Sequence, residues 1–542
     1  MRVETRPDPP GPPGPVVDGR RAAVAGGLAA VAALAVASLA DAVSGPVPSL
    51  VAVVGQAVIR HTPGFLSRGA TESVGTADKP LLLAVIALLA VVIGTRVGAA
   101  AVRRPWVGDA AFAGFGLLAV VCARSLHHIP VGATVVSVVV AGTAGALTLR
   151  RLLAVAATAV TAPTATAVTA APSSDEMGPL AWPGERTVSR RRFLVAGSSV
   201  AGGAAVLLGS AAGLRRALAG KSPQASVVLP DAAAGPMPLG SAAAGFQDVE
   251  GISPLVTPNR DFYRIDEALI TPSVDVDRWR LRVTGMVDAP FELTYDDLLA
   301  LPLVERHITL SCVSNQVGGP LVGTALWRGV RLADLLARAG VQPGATQVVG
   351  RSVDRFTVGF PVEAATDGRD ALVAVGMNGE PLPTAHGFPA RLVVPGLYGY
   401  VSATKWLTEI ELTTFDAFDS YWVDRNWAQK APIKVESRID VPRDYSKVAA
   451  GPRTIAGVAW APHRGVRRVE VMVDGGAWAD AALGPALGDD AWRQWSVPWN
   501  ATPGTHVISC RATTADGEVQ TSIKHSPFPD GATGWHEVNV RV

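Results

Sequence analysis

The chain has 542 residues, too many for one hydrophobic core, and its length points to three or four units. Apolar residues make up 49% of it, high for a soluble protein, while 48 basic against 46 acidic residues argue against a general nucleic-acid binder, which would carry a basic excess on one domain. The three cysteines, Cys122, Cys312 and Cys510, fall in separate segments; their spacing builds neither a disulfide framework nor a structural zinc site, and there is no Cys-x-x-Cys-His run for a covalent haem.

Residues 1–20, rich in Pro and Arg without periodicity, read as a disordered cytoplasmic tail. Four apolar runs follow, at about 22–43, 81–101, 107–123 and 131–149, each near the ~20 residues that cross a bilayer, so 21–150 reads as membrane helices. Ala, Val, Leu and Gly dominate them, and small residues let neighbouring helices approach closely. Residues 49–59 are apolar but short, which places them at the interface. Twelve basic residues fall on one side: Arg2, Arg6, Arg20, Arg21, Arg103, Arg104, Arg150, Arg151, Arg186 and Arg190 to Arg192. Four fall on the other, Arg60, Arg68, Lys79 and Arg124, which assigns the first side to the cytoplasm. Arg215, Arg216 and Lys221 then lie outside, against the bias. Asp109 is near a helix end, so no ion pathway is visible. His61, His127 and His128 read as interfacial residues on the external side, with haem ligation the alternative.

Residues 151–188 are a low-complexity linker of Ala, Thr, Val and Pro. The segment 189–219 opens with Ser189-Arg190-Arg191-Arg192-Phe193-Leu194 and continues apolar to about Leu214, a fifth membrane helix. Its opening resembles the twin-arginine export signal, and Ala217-Leu218-Ala219 offers an Ala-x-Ala cleavage site.

From 249 to 430 the texture changes to short β-branched strands and Gly/Pro turns. Trp279 to Val283 alternates with period two, as a half-buried strand does, while Tyr295 to Leu301 and Leu332 to Ala339 have helical spacing ended by Pro or Gly. Strand and helix signals mix without βαβ alternation, which predicts an α+β fold. Cys312 closes an apolar run in Thr309-Leu310-Ser311-Cys312-Val313-Ser314-Asn315. By itself it admits three readings: an inert buried side chain, a nucleophile, or one thiolate ligand to a metal cofactor.

Further motifs stand around it in a specific order. Phe262-Tyr263-Arg264-Ile265-Asp266 and Trp279-Arg280-Leu281-Arg282-Val283-Thr284-Gly285 precede it; Trp327-Arg328-Gly329-Val330, Met377 to Pro383, His386-Gly387-Phe388-Pro389-Ala390-Arg391 and Lys405-Trp406-Leu407 follow. Together these resemble the molybdopterin-binding domain of the sulfite oxidase family. The resemblance implies a molybdenum-molybdopterin cofactor in which Cys312 is the metal ligand, beside two dithiolene sulfurs and two oxygens. It also places Tyr263, Arg264, Asn315, His386, Arg391, Thr404 and Lys405 at the cofactor. The residue types suit that chemistry: a thiolate is a soft ligand for a redox metal, an electropositive surround favours its deprotonated form, and an arginine fork grips a phosphate. A cofactor inserted in the cytoplasm also explains an export signal for folded domains.

Two departures bear on the substrate. Sulfite oxidases follow the ligand loop's Asn with two arginines, whereas Asn315 is followed by Gln316 and Val317. Trp427 stands where those enzymes carry an active-site tyrosine, leaving Cys312, Arg264 and Trp427 as the catalytic set and Arg425 as a neighbouring cation. Losing a guanidinium from an anion site removes a contact worth ~1.5–3 kcal/mol.

Residues 448–542 alternate apolar and polar in Thr454 to Trp460, Val469 to Val473 and His506 to Arg511, with hairpin signals at Asp474-Gly475-Gly476 and Asp516-Gly517. This predicts an Ig-like β-sandwich whose core takes Trp460, Trp478, Trp492, Trp495 and Cys510. It resembles the family's dimerisation domain, so a homodimer is one expectation. The apolar runs and basic bias imply a multi-pass membrane protein with its second half extracytoplasmic, and the resemblance implies that this half is a molybdenum oxidoreductase that transfers an oxygen atom with two electrons. Its partners would be a small oxo compound or oxyanion, and a separate redox protein or quinone-linked donor or acceptor. Alternatives are a reductase of S-oxides or related organic oxo compounds, and a metal-free binding protein on the same scaffold.

Overall fold

The computed structural model describes residues 17–44, 49–62, 78–126, 129, 131–157, 184–218, 223–235 and 245–542. Most of the expected N-terminal tail and linker, with Arg2, Arg6, Arg68, His127, His128, Ala219 and Lys221, lies outside the described residues, as do the side chains of Arg186, Ser189, Arg215 and Arg216. The chain divides into two units, one of Met1–Thr62 and Leu66–Gly220, the other of Pro63–Phe65 and Lys221–Val542.

Among the described residues, the first unit holds five helices long and apolar enough to cross a membrane: α1 (Gly19–Ser44), α3 (Asp78–Ala101), α4 (Trp106–Ser125), α5 (Val131–Ala156) and α6 (Gly184–Leu218). Between α1 and α3 lies α2 (Leu50–His61), only 12 residues long and capped where Ser49 Oγ accepts from Ala52 N at 3.2 Å. Small residues set the closest crossing. A Cβ on Gly26 would fall 2.0 Å from the Gly94 carbonyl oxygen, and one on Gly98 2.2 Å from that of Ala22. Without a hydrophobic drive between helices in lipid, such close van der Waals contact holds a bundle together. Asp109 on α4 pairs with Arg150 on α5 at 2.5 Å. Arg96, exposed on α3, adds a charge that the apolar runs alone obscure.

The second unit begins with two mixed sheets. One has the order β2-β1-β10-β5-β6, from β1 (Arg280–Gly285), β2 (Phe291–Thr294), β5 (Gln347–Ser352), β6 (Thr357–Pro361) and β10 (Leu407–Thr413). Only β1 and β10 pair in parallel there. The alternation in β1 is realised as read: Leu281 and Val283 are buried, and Arg282 faces out to Glu409 at 3.0 Å. The other sheet joins β3 (Leu303–Ser311), β4 (Val322–Arg331), β7 (Leu372–Met377), β8 (Glu380–Pro381) and β9 (Arg391–Val393). Both expected helices form, α7 (Tyr295–Leu299) with a Thr294–Asp297 capping box and α8 (Leu332–Ala339), closed by Gly340 at φ 68°. Two single turns, α9 (Glu363–Thr366) and α10 (Gly399–Ser402), are too short to leave a periodic signal.

The C-terminal sandwich packs β11 (Glu436–Val441), β12 (Gly451–Trp460), β16 (Arg493–Ala501) and β15 (Ala482–Leu483) against β14 (Ala479–Asp480), β13 (Val466–Val473), β17 (Thr505–Thr514) and β18 (His536–Arg541). Its first strand starts at Glu436, ahead of the boundary at 448, because β11 pairs with β12 across what reads as linker. Cys510 and Trp495 sit in its core. Trp460 and Trp492 do not: both join the large core of the preceding sheets, and Trp478 stacks edge-on against Trp535 at 4.9 Å. Period two tells which residues point inward, but not which neighbour they meet.

Candidate functional site

Cys312 is the first residue after β3, and its backbone N donates to Leu321 O at 2.9 Å just before β4 begins. Asn315 closes this loop on itself: its N donates to Cys312 O at 3.0 Å, and its Oδ1 accepts from Leu321 N at 2.8 Å. Asn315 therefore holds the loop rather than lining the adjoining cleft. The sandwich holds the same loop from outside. Arg438 Nη1 donates to Gly319 O at 2.8 Å, and the His536 ring sits where a Cβ on Gly318 (φ 75°) would come within 2.0 Å. It also supports β3 itself, since Thr309 N donates to Asp490 O at 2.9 Å and Trp492 N to Thr309 Oγ1 at 2.7 Å.

Cys312 opens onto a narrow cleft of about 110 Å³. Tyr263, His386, Arg391 and Lys405 line it too, as the sequence implies. Arg391, at the start of β9, is 5% exposed, and no carboxylate pairs with it among the described residues. Its Nη1 donates to His386 O at 3.0 Å, and its guanidinium lies 5.0 Å from the Trp327 ring centre. Burial brings it down to about 10, still a cation at neutral pH. A desolvated cation without an anion costs several kcal/mol (~3–5 when a partner is removed), so this position is built for an anionic ligand.

His386 is buried against Phe262, edge to face at 5.7 Å. Its Nε2 lies 3.0 Å from Asn259 O; a carbonyl only accepts, so Nε2 carries the proton and Nδ1 remains an acceptor. Burial, and then Arg391, bring it down to about 4, so it is neutral at physiological pH. Ser352 lines the cleft, and its Oγ is buried without a hydrogen-bond partner among the described residues. Burial pushes the Tyr263 phenol well up, with Cys312 adding to the rise and Arg391 opposing it, so it stays a donor. The Cys312 thiol is likewise pushed up by burial, against a smaller opposing effect of Ser314. The electropositive surround inferred from sequence is thus outweighed by desolvation, and a metal ion would have to displace the proton.

The remaining candidates are engaged with other partners. Arg264 turns away from the cleft: Nε donates to Asp266 Oδ2 at 2.6 Å and Nη2 to Thr271 Oγ1 at 2.6 Å. Lys405 pairs with the same carboxylate and donates to Ile265 O at 3.2 Å. Thr404 is buried behind the wall, bonded to Gly350 O at 3.3 Å. Arg425 stacks on Tyr421 at 3.7 Å. Trp427 forms a second layer, 5.8 Å from Tyr400 and 6.3 Å from Trp422, and these two rings reach the cleft instead. Phe356 and Trp406 complete an aromatic wall, and Asp266, Glu267 and Asp354 bring acidic groups to it. Sequence reasoning missed this wall, because Trp422 carries no local signal that sets it apart from Trp427.

This arrangement suits an anionic, heteroaromatic group carrying a metal: a soft thiol, a carboxylate-free guanidinium, a neutral imidazole acceptor and an unpartnered hydroxyl share one cleft. The family model described as "Oxidoreductase molybdopterin binding domain" matches residues 268–422. Mitochondrial sulfite oxidase of Homo sapiens is 32% identical over 343 residues, 53% of this chain and 62% of that protein. The sulfite oxidase of Gallus gallus is 30% identical over 317 residues, 49% of this chain and 68% of that one. The chain thus spans about three fifths of the human relative's length. Among solved structures, the sulfane dehydrogenase SoxCD of Paracoccus pantotrophus aligns with 54% of this chain and 82% of its own at 23% identity, with a TM-score of 0.46.

Proposed function

The chain belongs to the sulfite oxidase family, and we propose that it is a membrane-anchored molybdopterin oxidoreductase that transfers an oxygen atom with two electrons outside the cytoplasm. The observation that carries this reading is the convergence of Cys312, carboxylate-free Arg391 and neutral His386 on one cleft. When bound, the molybdenum-molybdopterin supplies two-electron chemistry at an oxo group. Cys312 would give the thiolate ligand, Arg391 would hold anionic oxygens of the pterin, and His386 Nδ1 and Ser352 Oγ would meet its polar edge. Asn315 would keep the ligand loop at a fixed distance from them.

Substrate choice follows from the wall. Arg264 and Lys405 share Asp266, and the outer surfaces are Phe356, Tyr400 and Trp422. Few free cations and several rings favour a neutral organic S- or N-oxide over sulfite. Reduction of such an oxide consumes two electrons and two protons and releases water. The three separated cysteines support no iron–sulfur cluster, so electrons would come from a membrane-linked partner. The basic bias and the Ser-Arg-Arg pattern support an extracytoplasmic second unit. The test is kcat/KM for sulfite and for neutral organic oxides, with artificial electron donors and acceptors, alongside molybdenum content. Efficient sulfite oxidation with no activity on organic oxides would overturn the substrate reading, and active native protein without molybdenum the whole.

A further inference from the structure

Behind Cys312, on the side away from the cleft, stand polar groups that the catalytic reading does not use. Leu310 and Cys312 line the cleft, so by strand alternation Ser311 faces the opposite way. Thr309 faces that way too, and its Oγ1 accepts from Trp492 N at 2.7 Å. This side of β3 is the seam with the sandwich. Ser311 Oγ, Tyr398 Oη and both carboxylate oxygens of Glu436 are buried, and none has a hydrogen-bond partner among the described residues.

Their order runs from the cleft to the surface. Ser311 precedes Cys312, and a Cβ on Gly399 would stand 3.9 Å from Ser311 O. Tyr398, next to Gly399, reaches toward the sandwich: a Cβ on Gly531 would collide with its Oη. Glu436 opens β11 beside that hydroxyl, without a closed hydrogen bond between them. Close to Glu436 and Tyr398, Lys434 Nζ donates to Asp530 Oδ1 at 3.0 Å and to Gly531 O at 2.8 Å, and the Asp530 side chain is 49% exposed to solvent.

For stability alone this line is a poor choice. Apolar side chains of the same shape would spare the cost of desolvating groups that meet no partner. Such groups are the natural partners of buried water, which needs two to four of them. Burial also pushes Glu436 up to about 8, against the opposing effects of Tyr398, Lys434 and Arg438, so at neutral pH it holds a proton that it can release.

We propose that Glu436, Tyr398 and Ser311, bridged by buried water, form a proton relay between solvent at Asp530 and the cleft. The proposal rests on the reading of the cleft as a site of oxygen-atom transfer. Reducing an S-oxide to a sulfide and water consumes two electrons, from the membrane-linked donor, and two protons. With cofactor and substrate in a cleft of about 110 Å³, walled by Phe356, Tyr400 and Trp422, little room is left for water to bring protons through the mouth. Glu436 gives a proton to Tyr398 Oη as that hydroxyl passes its own toward Ser311, and solvent reprotonates Glu436. The phenol therefore need not ionise, which its burial opposes.

The test uses the full chain with its cofactor, in mild detergent. Glu436→Gln and Tyr398→Phe keep the shape of each side chain and break no hydrogen bond of the fold, so both should retain molybdenum. Glu518→Gln is the control, at an exposed carboxylate paired with Arg464. Turnover of dimethyl sulfoxide is followed with a reduced viologen as electron donor, in H2O and in D2O. Loss of the relay should cut kcat roughly 10²-fold with KM unchanged and raise the solvent isotope effect, in both variants but not in the control. A packing role would leave the isotope effect where it is. A second readout needs no turnover: the infrared difference between oxidised and chemically reduced protein should contain a carboxylic-acid carbonyl band that Glu436→Gln abolishes. If dimethyl sulfoxide is not turned over, this band decides. In molybdenum-loaded protein, a band that survives Glu436→Gln or is missing from the native chain overturns the relay alone, as do native kcat and isotope effect in Glu436→Gln. Native protein without molybdenum overturns the reading of the cleft, and the relay with it.

Discussion

Arg264 donates through Nε to Asp266 Oδ2 at 2.6 Å, and Lys405 completes the pair from the other side of that carboxylate. Two cations assigned to anion or cofactor binding by their place in sequence are therefore held by one acid that is 4% exposed. Asp266→Asn should release them. Sulfite kcat/KM should then rise about ten-fold, the worth of one charge-assisted contact, while a neutral oxide should be turned over no better. Steady-state kinetics on both substrates checks this; a parallel rise on the two would show that charge is not what Asp266 controls.

Cys312→Ser should lower molybdenum content and cut oxygen-atom transfer by more than ~100-fold, since even residues that only orient metal ligands cost ~10–100-fold. Metal analysis and turnover are measured on the same preparation. Full activity in the serine variant would remove Cys312 from the metal.

The site was legible where function sits on the chain's own geometry. Cys312 follows β3 and Arg391 opens β9, so a strand end and a turn signal mark each position. What could not be read was partner choice. Nothing in the local pattern shows that Asp266 closes on Arg264 and on Lys405, far away in sequence. Trp422 and Trp427 flank one short turn, and only packing decides which ring reaches the cleft. Trp460 and Trp492 read as inward residues, but the sandwich lies against a second core and lends them to it.

The same packing gives the sandwich a role at the ligand loop. Gly318→Ala demands a left-handed alanine, at about 1 kcal/mol or more, and drives its Cβ into His536. Molybdenum content should fall several-fold, while the far strands of the sandwich are unaffected. His536→Ala in the same chain removes the clash but not the backbone cost, so partial recovery is expected. No recovery would mean that His536 is a bystander.

Glu436, at the start of β11, is buried beside Tyr398 and pushed up to about 8 by desolvation, with Tyr398, Lys434 and Arg438 opposing. The folded state keeps its proton while the unfolded chain ionises near 4.5. Stability from this group is therefore present below about 4.5 and is lost as pH rises toward about 8. Burial acts oppositely on His386 and His536, both brought down to about 4: stability is lost as pH falls from about 6.5. Glu436→Gln should flatten the alkaline limb between pH 5 and 8 and leave the acid limb in place. Denaturant midpoints of the whole protein across that range test it; an unchanged alkaline slope would assign the loss to other groups.

The last expectation concerns the route by which the second unit reaches its side of the membrane. Arg190 and Arg191 lie on α6, exposed, at the start of an apolar stretch that runs to Leu214. Two forces have to be separated there. Positive charge alone would orient a helix, and lysine supplies it as well as arginine does. A receptor that reads the arginine pair would not accept lysine, because a planar fork of donors is lost while the charge stays. Replacing both with lysine should therefore leave the second unit inside, protected from protease added to spheroplasts, although the basic bias is unchanged. Digestion equal to that of the native protein would leave orientation to charge alone. Protection of the native protein itself would reverse the topology and place the cleft in the cytoplasm.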